Sequence, residues 1–219
     1  DLLAGADGVH SKTRARLFPA CTPAFCGQAV WRIAVPRPAG MDTTELHIGG
    51  RHGAVGICPI SPTESYLYIV EAADPLTRHD AADLPAIAAE KLIGYDGDLV
   101  RDCASHLHDS SAISYRHLEW LLLEPTWRRQ RAVLIGDATH CNPPVLAQGA
   151  AMGIEDAVVL AEELGAGDID AALERFVQRR LPRAGLVVRN SVQLCRWEVD
   201  HSVSPQEVGR LMLASQQFL

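Results

Sequence analysis

A carboxylate directly follows a short apolar run in the second half of the chain. Residues 132–135 (Ala-Val-Leu-Ile) are typical of a buried strand that is too short to be a helix, and Gly136 and Asp137 come next. Ligands of open α/β sheets bind at the carboxyl ends of the strands. The pattern therefore predicts that Asp137 lies at a binding edge, where its oxygens can accept hydrogen bonds from ligand hydroxyl groups.

The segment after this carboxylate predicts the amino end of a helix. Pro143 and Pro144 form a tight segment, and a helical pattern begins at Gly149. The positive end of a helix dipole favours negative charge, so the loop suits a ligand that has hydroxyl groups and develops a negative charge. An ordinary strand, loop and helix with a solvated Asp137 is the alternative.

The predicted helix has an apolar side and a largely acidic side. The apolar side carries Ile154, Val158, Ala161 and Leu164, and the acidic side carries Glu155, Asp156, Glu162 and Glu163.

A second carboxylate follows a strand-like run at the start of the chain. Residues 2–6 have a buried-strand pattern, and Asp7 begins the turn at its end. Ser11 is a suitable N-cap for a short helix that contains Arg14 and stops at Pro19. Arg14 could fork onto phosphate oxygens, and Asp7 could accept from a hydroxyl or hold Arg14. The alternative is a surface ion pair of these two residues, which would contribute under about 1 kcal/mol.

The composition excludes several classes of function. The chain has 219 residues, of which 47% are hydrophobic and 21% charged, as in a globular protein with one large or two small domains. A net charge of −7 without a basic run argues against nucleic acid, and the sequence has no apolar stretch that predicts a membrane span. The six scattered cysteines predict reduced thiols and a cytoplasmic location, and the nine histidines show no metal-site spacing.

The two carboxylate segments resemble the flavin motifs of class A flavoprotein monooxygenases, the aromatic hydroxylases related to p-hydroxybenzoate and salicylate hydroxylase. Residues 136–140 (Gly-Asp-Ala-Thr-His), with residues 143–144, 148–149 and 155–156, are similar to the second flavin motif of that family. Residues 5–14 (Gly-Ala-Asp-Gly-Val-His-Ser-Lys-Thr-Arg) resemble its Asp-Gly motif. Two motifs in the family's order are far more specific than either one alone.

The resemblance implies which residues contact the flavin. Asp7 and Arg14 would lie near the ribityl diphosphate and the route of the nicotinamide donor, and Asp137 would accept from a ribityl hydroxyl. The Pro144 carbonyl would face the substrate, and the amides around Gly149 would approach flavin O2 and stabilise the anionic reduced flavin. The implied cofactor residues are Asp7, Arg14, Gly136, Asp137, Pro144, Gly149, Ala150 and Ala151.

Two positions depart from the family pattern. Many members have Asn where this chain has Ala151, so only a backbone contact is possible there. Gln130, at the end of a segment that leads back to the central strand, stands where Gly is frequent. His140 belongs to the motif, and we predict a structural role at the turn for it rather than proton transfer.

The activity implied by the resemblance is hydroxylation of a small aromatic or heteroaromatic substrate by an FAD-dependent monooxygenase. In that family NADH or NADPH reduces the flavin, O2 adds to give the C4a-hydroperoxyflavin, and a hydroxyl group passes to an electron-rich ring. Because the cofactor carries this chemistry, no side chain is predicted to be catalytic.

The implied fold class is α/β, with a partial Rossmann-like domain for FAD and NAD(P), an inserted and mainly antiparallel substrate-binding sheet, and C-terminal helices. Residues 1–20 and 128–219 are expected to form the FAD-binding part, and residues 25–120 the sheet. Strands are predicted at residues 30–35, 45–48, 54–60, 65–70 and 112–118, and a helix at residues 83–92.

Strand residues of one parity should line a substrate pocket if this sheet covers one. Placement against the family's hairpin predicts these substrate-side residues, together with Pro144: His47, Cys58, Tyr66 and Tyr68. A His and Tyr pair could bind a phenol or carboxylate and help to deprotonate it, whereas packing of the tyrosines is the alternative. Ile60 stands where p-hydroxybenzoate hydroxylase has the guanidinium that holds its substrate, so a benzoate held in that manner is not expected.

The chain contains no G-x-G-x-x-G, the dinucleotide-binding fingerprint that precedes the Asp-Gly motif in the resembled family. We therefore expect a C-terminal portion of a longer protein, inactive alone because the adenosine diphosphate half of FAD would lack a cradle. The missing N-terminal portion would then be a partner. A catalytically inert remnant or interaction module is the rival hypothesis, and a non-oxygenating flavoprotein oxidoreductase is the third.

The C-terminal region is predicted to be helical. Pro182 predicts a kink or an interruption in a helix that begins near residue 168, and residues 204–207 predict a capping box. The box would open a last helix from Val208 to Phe218, whose apolar residues could pack on the domain or on a second subunit. The sequence therefore leaves formation of a homodimer as one of two alternatives.

Overall fold

The computed structural model describes residues 2–50, 53–200 and 203–216. The chain divides into two compact units, one built from residues 1–26 and 119–219 and the other from residues 27–118. We call them the discontinuous unit and the inserted unit.

Strands and helices are mixed along the described chain. The strands are β1 (Leu3–Gly5), β2 (Ala24–Pro36), β3 (Glu45–Gly50), β4 (Gly53–Pro59), β5 (Glu64–Ala72), β6 (Ile113–Trp120), β7 (Arg128–Arg129) and β8 (Ala132–Leu134). The helices are α1 (Lys12–Leu17), α2 (Leu84–Lys91), α3 (Asp98–Ala104), α4 (Asp137–His140), α5 (Gly149–Leu164), α6 (Ile169–Asp200) and α7 (Pro205–Ser215). The predicted α/β class is confirmed.

The discontinuous unit contains a small sheet in the order β1-β8-β7. β1 and β8 are parallel, with Leu3 opposite Ala132 and Gly5 opposite Leu134, whereas β7 is antiparallel to β8. Trp127 and Phe176 are fully buried in the core beside this sheet. The predicted strand at the start of the chain therefore pairs with the predicted strand that precedes Asp137.

The buried side of α5 is not the one that the sequence pattern predicts. Ile154 is 67% exposed and Val158 is 53% exposed, whereas Asp156 and Glu163 are buried. Both buried carboxylates bind arginines of α6, whereas Glu162 of the acidic side is 55% exposed and Leu164 of the apolar side packs against the core. Each predicted side is therefore buried only in part. The prediction was wrong because hydrophobic periodicity does not register carboxylates that are paired in the fold.

α6 runs through Pro182 without a break, so the predicted interruption is wrong. Pro182 cannot donate the backbone hydrogen bond to Gln178, but both residues are exposed, and water can satisfy the freed carbonyl. The capping box is confirmed, since the Ser204 hydroxyl accepts from the Glu207 amide and the Glu207 carboxylate accepts in return. Phe218 lies outside the described residues.

The inserted unit is a five-stranded sheet in the order β3-β4-β5-β2-β6, with α2 and α3 packed on one face. The pairs β3–β4, β4–β5 and β5–β2 are antiparallel, as expected for this segment. Residues of one parity form its core with residues of the two helices: Trp31, Ile33, Val55, Ile57, Leu67, Ile69, Leu84, Ala88, Val100 and Cys103. The opposite face of these strands is the one that carries Tyr66 and Tyr68.

Each predicted strand is present, although β1 and β8 are shorter than predicted and the strands of the inserted unit are longer or shifted. α3 was not predicted. No helix among residues 2–50, 53–200 and 203–216 is long and apolar enough to cross a membrane.

Candidate functional site

The two motif carboxylates leave neighbouring strands at one edge of the sheet. β1 and β8 are parallel, and at their carboxyl ends the Ile135 amide, directly after β8, donates to the carbonyl of Gly5, the last residue of β1, at 3.1 Å. Asp7 follows β1 and Asp137 follows β8, and both side chains are exposed. The edge at which α/β sheets bind ligands is thus lined by both motifs.

The Asp7 carboxylate organises the loop after β1. It accepts from the Ser11 hydroxyl, from the Thr13 amide at 2.9 Å and from the Thr13 hydroxyl at 3.0 Å. Partial burial would raise the pKa of the Asp7 carboxyl, but these hydrogen bonds lower that pKa to about 2. The predicted N-cap is confirmed, because Ser11 Oγ accepts from the Arg14 amide at 2.8 Å.

Arg14 is buried and binds backbone carbonyls inside the protein. Its guanidinium is 3% exposed and donates to the backbone carbonyls of Val9, Cys21 (3.2 Å) and Ala138 (3.1 Å). Arg14 forms no ion pair with Asp7 in this arrangement. Its three contacts connect the loops on both sides of α1 to α4, and the expected contact with phosphate stays a prediction.

Gly136 turns the chain from β8 into α4. Its φ is +60°, which favours glycine, and its amide donates to Asp156 Oδ2 at 2.8 Å. The Gly136 carbonyl accepts from the Thr139 amide at 2.8 Å and from the Thr139 hydroxyl at 2.9 Å. This turn leaves Asp137 at the first position of α4 with its carboxylate exposed.

Behind the turn lies a buried charge network that the sequence pattern did not predict. His140 Nε2 is 2.7 Å from Asp156 Oδ2, and Arg180 Nε donates to Asp156 Oδ1 at 2.8 Å. The three residues are at most 5% exposed. Burial would raise the pKa of Asp156, but its hydrogen bonds with His140, the Gly136 amide and Arg180 lower it below its ordinary value. The structural role predicted for His140 matches this geometry.

A second layer connects the network to the start of α5. Arg180 pairs with Glu155 at 2.6 Å, and Arg183 pairs with the same carboxylate at 3.2 Å. Arg183 also donates to Gln148 Oε1 at 3.2 Å, directly before the helix. The amino end of α5 and the turn after β8 are therefore held by one set of α6 arginines.

The amino end of α5 presents backbone amides. Gly149, Ala150 and Ala151 are its first three residues, so their amides have no partner one turn earlier within the helix. Ala150 and Ala151 are exposed. The Pro144 carbonyl accepts from the Ala147 amide at 2.8 Å, which leaves it one further lone pair for a ligand.

Asn142 is a residue of this loop that sequence reasoning missed. Its Oδ1 is buried without a hydrogen-bond partner among the described residues and lies 3.5 Å from the position that a Cβ on Gly149 would take. Its Nδ2 donates to the Pro143 carbonyl at 2.9 Å. An unsatisfied buried acceptor beside the start of α5 is a site for a ligand donor. No spacing in the sequence distinguishes it from any other loop asparagine.

The predicted substrate residues lie in the inserted unit. Cys58 is opposite Tyr66 in the register, and the rings of Tyr66 and Tyr68 are 5.8 Å apart. Burial, with a hydrogen bond between the Cys58 thiol and the phenol, raises the pKa of Tyr66 to about 12. These three residues share the sheet face away from α2 and α3, as their parity predicts.

His47 does not share that face, and the prediction for it was wrong. His47 is opposite Val55, which is fully buried, and a Cβ on Gly97 would lie 2.9 Å from its ring. Its ring therefore packs on the helix side of the sheet, 3.5 Å from Glu45. Side chains of β3 alternate between faces, and the placement was off by one residue.

Comparison with known proteins identifies the family of the chain. The family model described as FAD binding domain matches residues 1–191. The putative FAD-dependent monooxygenase YetM of Bacillus subtilis is 33% identical over 207 residues, which cover 90% of this chain and 53% of that protein. The 2-heptyl-3-hydroxy-4(1H)-quinolone synthase of Pseudomonas aeruginosa is 32% identical over 212 residues, which cover 92% of this chain and 54% of that protein.

A solved structure has the same fold. The crystal structure of Klebsiella pneumoniae HpxO complexed with FAD and uric acid matches with a TM-score of 0.83 and 24% identity, over 98% of this chain and 55% of that one. The exposed Asp137 carboxylate, the free α5 amides and the unsatisfied Asn142 oxygen fit a flavin, which carries both hydroxyl donors and acceptors. The chain belongs to the FAD-binding domain family of flavoproteins, and it spans about half the length of the curated relatives it matches.

Proposed function

We propose that the discontinuous unit holds the flavin of an FAD-dependent monooxygenase that uses NADH or NADPH and hydroxylates a small aromatic or heteroaromatic ring. The observation that carries this proposal is the exposed Asp137 carboxylate at the carboxyl end of β8, where the amide of the preceding Gly136 donates to the buried Asp156. This hydrogen bond fixes the turn that presents Asp137, and the exposed carboxylate can accept from a hydroxyl group of a ligand.

Each part of the loop has a proposed task. Asp137 would accept from a ribityl hydroxyl, and Asp7 would keep the loop after β1 in place through Ser11 and Thr13. The amides of Gly149, Ala150 and Ala151 would donate to the flavin oxygen that gains negative charge on reduction. Bound FAD would supply oxygen activation and hydroxyl transfer.

The substrate class follows from the face of the inserted unit and from the relatives. The Tyr66 phenol is protonated at neutral pH, as an ordinary tyrosine is, so it can donate to an oxygen of the substrate. The name of one matched protein refers to a quinolone, and the structure of another contains uric acid; both molecules are nitrogen heterocycles. We propose a planar aromatic or heteroaromatic substrate with one or two rings, like the quinolone and uric acid ring systems.

The flavin assignment is tested with riboflavin, which has the ring and the ribityl chain but no phosphates. Riboflavin fluorescence is titrated with the unaltered chain, with Asp137→Ala and with Asp200→Ala. Asp200 is the control because it is exposed and is the last residue of α6. Loss of a charged hydrogen bond should weaken binding by about tenfold or more in Asp137→Ala and leave Asp200→Ala unchanged.

Equal affinity of the two variants, or no saturable quenching by any of the three proteins, would contradict the assignment of the flavin to this unit.

A further inference from the structure

One row of side chains crosses the open face of the inserted sheet. Arg32 on β2 is opposite Tyr68 on β5, Tyr68 is opposite Gly56 on β4, and Gly56 is opposite Leu46 on β3. Cross-strand neighbours on one face have side chains within contact distance. The row therefore places a guanidinium at one end, a phenol ring in the middle and an apolar side chain at the other end.

The ring of Tyr68 lies across the backbone of Gly56. A Cβ on Gly56 would lie 2.0 Å from Tyr68 Cζ and 2.3 Å from its hydroxyl oxygen, so the ring occupies the space of the missing side chain. The Tyr68 side chain therefore extends along the face of the sheet toward β4 and does not project away from the sheet. A ring in this position offers one face as a flat platform on which a planar aromatic molecule can stack.

Arg32 supplies the positive charge of this surface. Its side chain is exposed, and no carboxylate forms an ion pair with it in the part of the chain that the structure describes. Its charge reaches the neighbouring Tyr66, where it opposes the rise in pKa that burial and the Cys58 thiol cause. Tyr66 stays a neutral donor, so the surface combines one fixed cation with a phenol donor.

We propose that Arg32 determines substrate specificity by selecting aromatic molecules that carry an anionic group. The ring of the molecule would stack on Tyr68, and its carboxylate or phenolate would bind the Arg32 guanidinium, a geometry in which bidentate hydrogen bonds form. The role as a substrate residue rests on the proposed monooxygenase function. The absence of a guanidinium at Ile60 therefore does not leave the face without a cation, because Arg32 approaches it from another strand.

The test uses 4-hydroxybenzoate and 4-hydroxybenzamide, which have the same shape and differ in the charge of one group. Their affinities for the whole chain are measured by ligand-observed NMR without flavin, so that binding is separated from turnover. Arg32→Gln keeps most of the stem and removes the charge, and Arg32→Lys keeps the charge. Arg101→Gln on α3, which pairs with Asp98, is the matched control.

The acid should bind about tenfold or more tightly than the amide, as expected for one charge-assisted hydrogen bond. The preference should vanish in Arg32→Gln, persist in part in Arg32→Lys and stay unchanged in Arg101→Gln. Equal affinities in the unaltered chain, undetectable binding of the acid, or an undiminished preference in Arg32→Gln would overturn the proposal. Because riboflavin binding is measured separately, failure here leaves the flavin assignment standing, and failure there leaves this result intact.

Discussion

At the scale of single residues, Asp156 connects most of the candidate flavin loop. Its two oxygens accept from the Gly136 amide and from Arg180, and Oδ2 also contacts His140 at 2.7 Å. These partners come from the turn after β8, from α4 and from α6. A buried carboxylate with several donors holds them in one arrangement as long as it stays ionised.

Replacement of Asp156 by Asn should destabilise the discontinuous unit. The change leaves Arg180 buried without its full counter-charge, and breaking a buried pair costs about 3–5 kcal/mol. Urea unfolding followed by circular dichroism measures the loss, and Asp200→Asn on the exposed end of α6 serves as control. Riboflavin affinity should fall together with stability. A stable Asp156→Asn protein with intact riboflavin binding would show that the network does not position the loop.

Replacement of Arg14 by Lys distinguishes a clamp from a phosphate ligand. A lysine ammonium cannot reach three carbonyls in different directions, so we expect a loss of about 2–4 kcal/mol in the free energy of unfolding. Arg16→Lys, on the exposed side of the same helix, should have almost no effect. Unchanged thermal and urea stability in Arg14→Lys would mean that the carbonyl contacts are not what keeps Arg14 in place.

At the scale of secondary-structure elements, the turn between β7 and β8 carries local strain. Gln130 has a φ of +53°, in the left-handed region where non-glycine residues are disfavoured by about 1–2 kcal/mol. The frequent Gly at this position of the resembled family therefore has a conformational reason.

Gln130→Gly should stabilise the protein by about 0.5–1 kcal/mol, since the relief of strain exceeds the greater freedom of glycine in the unfolded chain. Gln130→Ala removes the same side chain without relieving the strain, so its melting temperature should not rise. Differential scanning calorimetry of both variants measures the difference. A gain in Gln130→Ala equal to that in Gln130→Gly would assign the effect to the side chain instead of the backbone.

At the scale of the whole molecule, stability should depend on pH through the carboxylates of the discontinuous unit. The pKa of Asp7 is lowered to about 2, and those of Glu155 and Asp156 are lowered below their ordinary values because arginines and backbone donors bind them. A carboxylate whose pKa is lower in the folded state stabilises that state above its unfolded pKa, and the contribution is lost as the pH falls toward the folded pKa.

The free energy of unfolding should therefore be steady near neutral pH and decrease between about pH 5 and pH 2. Urea unfolding at a series of pH values measures this decrease. In Asp156→Asn the dependence should be shallower, because one of the titrating groups is gone, whereas Asp200→Asn should follow the unaltered chain. A parallel curve for Asp156→Asn would show that its carboxylate does not contribute to the acid transition.

The sequence by itself determined the class of fold, the two motif carboxylates at strand ends, the capping of α1 and α7 and the parity of Cys58, Tyr66 and Tyr68. The fold class and the choice of the face for these hairpin residues came from the resemblance of two motifs to a known family. The strand ends, the caps and the alternation along β5 depend on local pattern: apolar runs, turn residues and the period of a strand.

Tertiary structure alone decided which charged groups are buried and to which backbone carbonyls Arg14 donates. It also decided on which face of the inserted sheet His47 and Arg32 lie. Hydrophobic periodicity predicted the wrong buried side for α5, because Asp156 and Glu163 are stabilised inside by arginines that lie far along the chain. Pairing of residues distant in sequence is set by the packing of whole elements, and no local spacing encodes it.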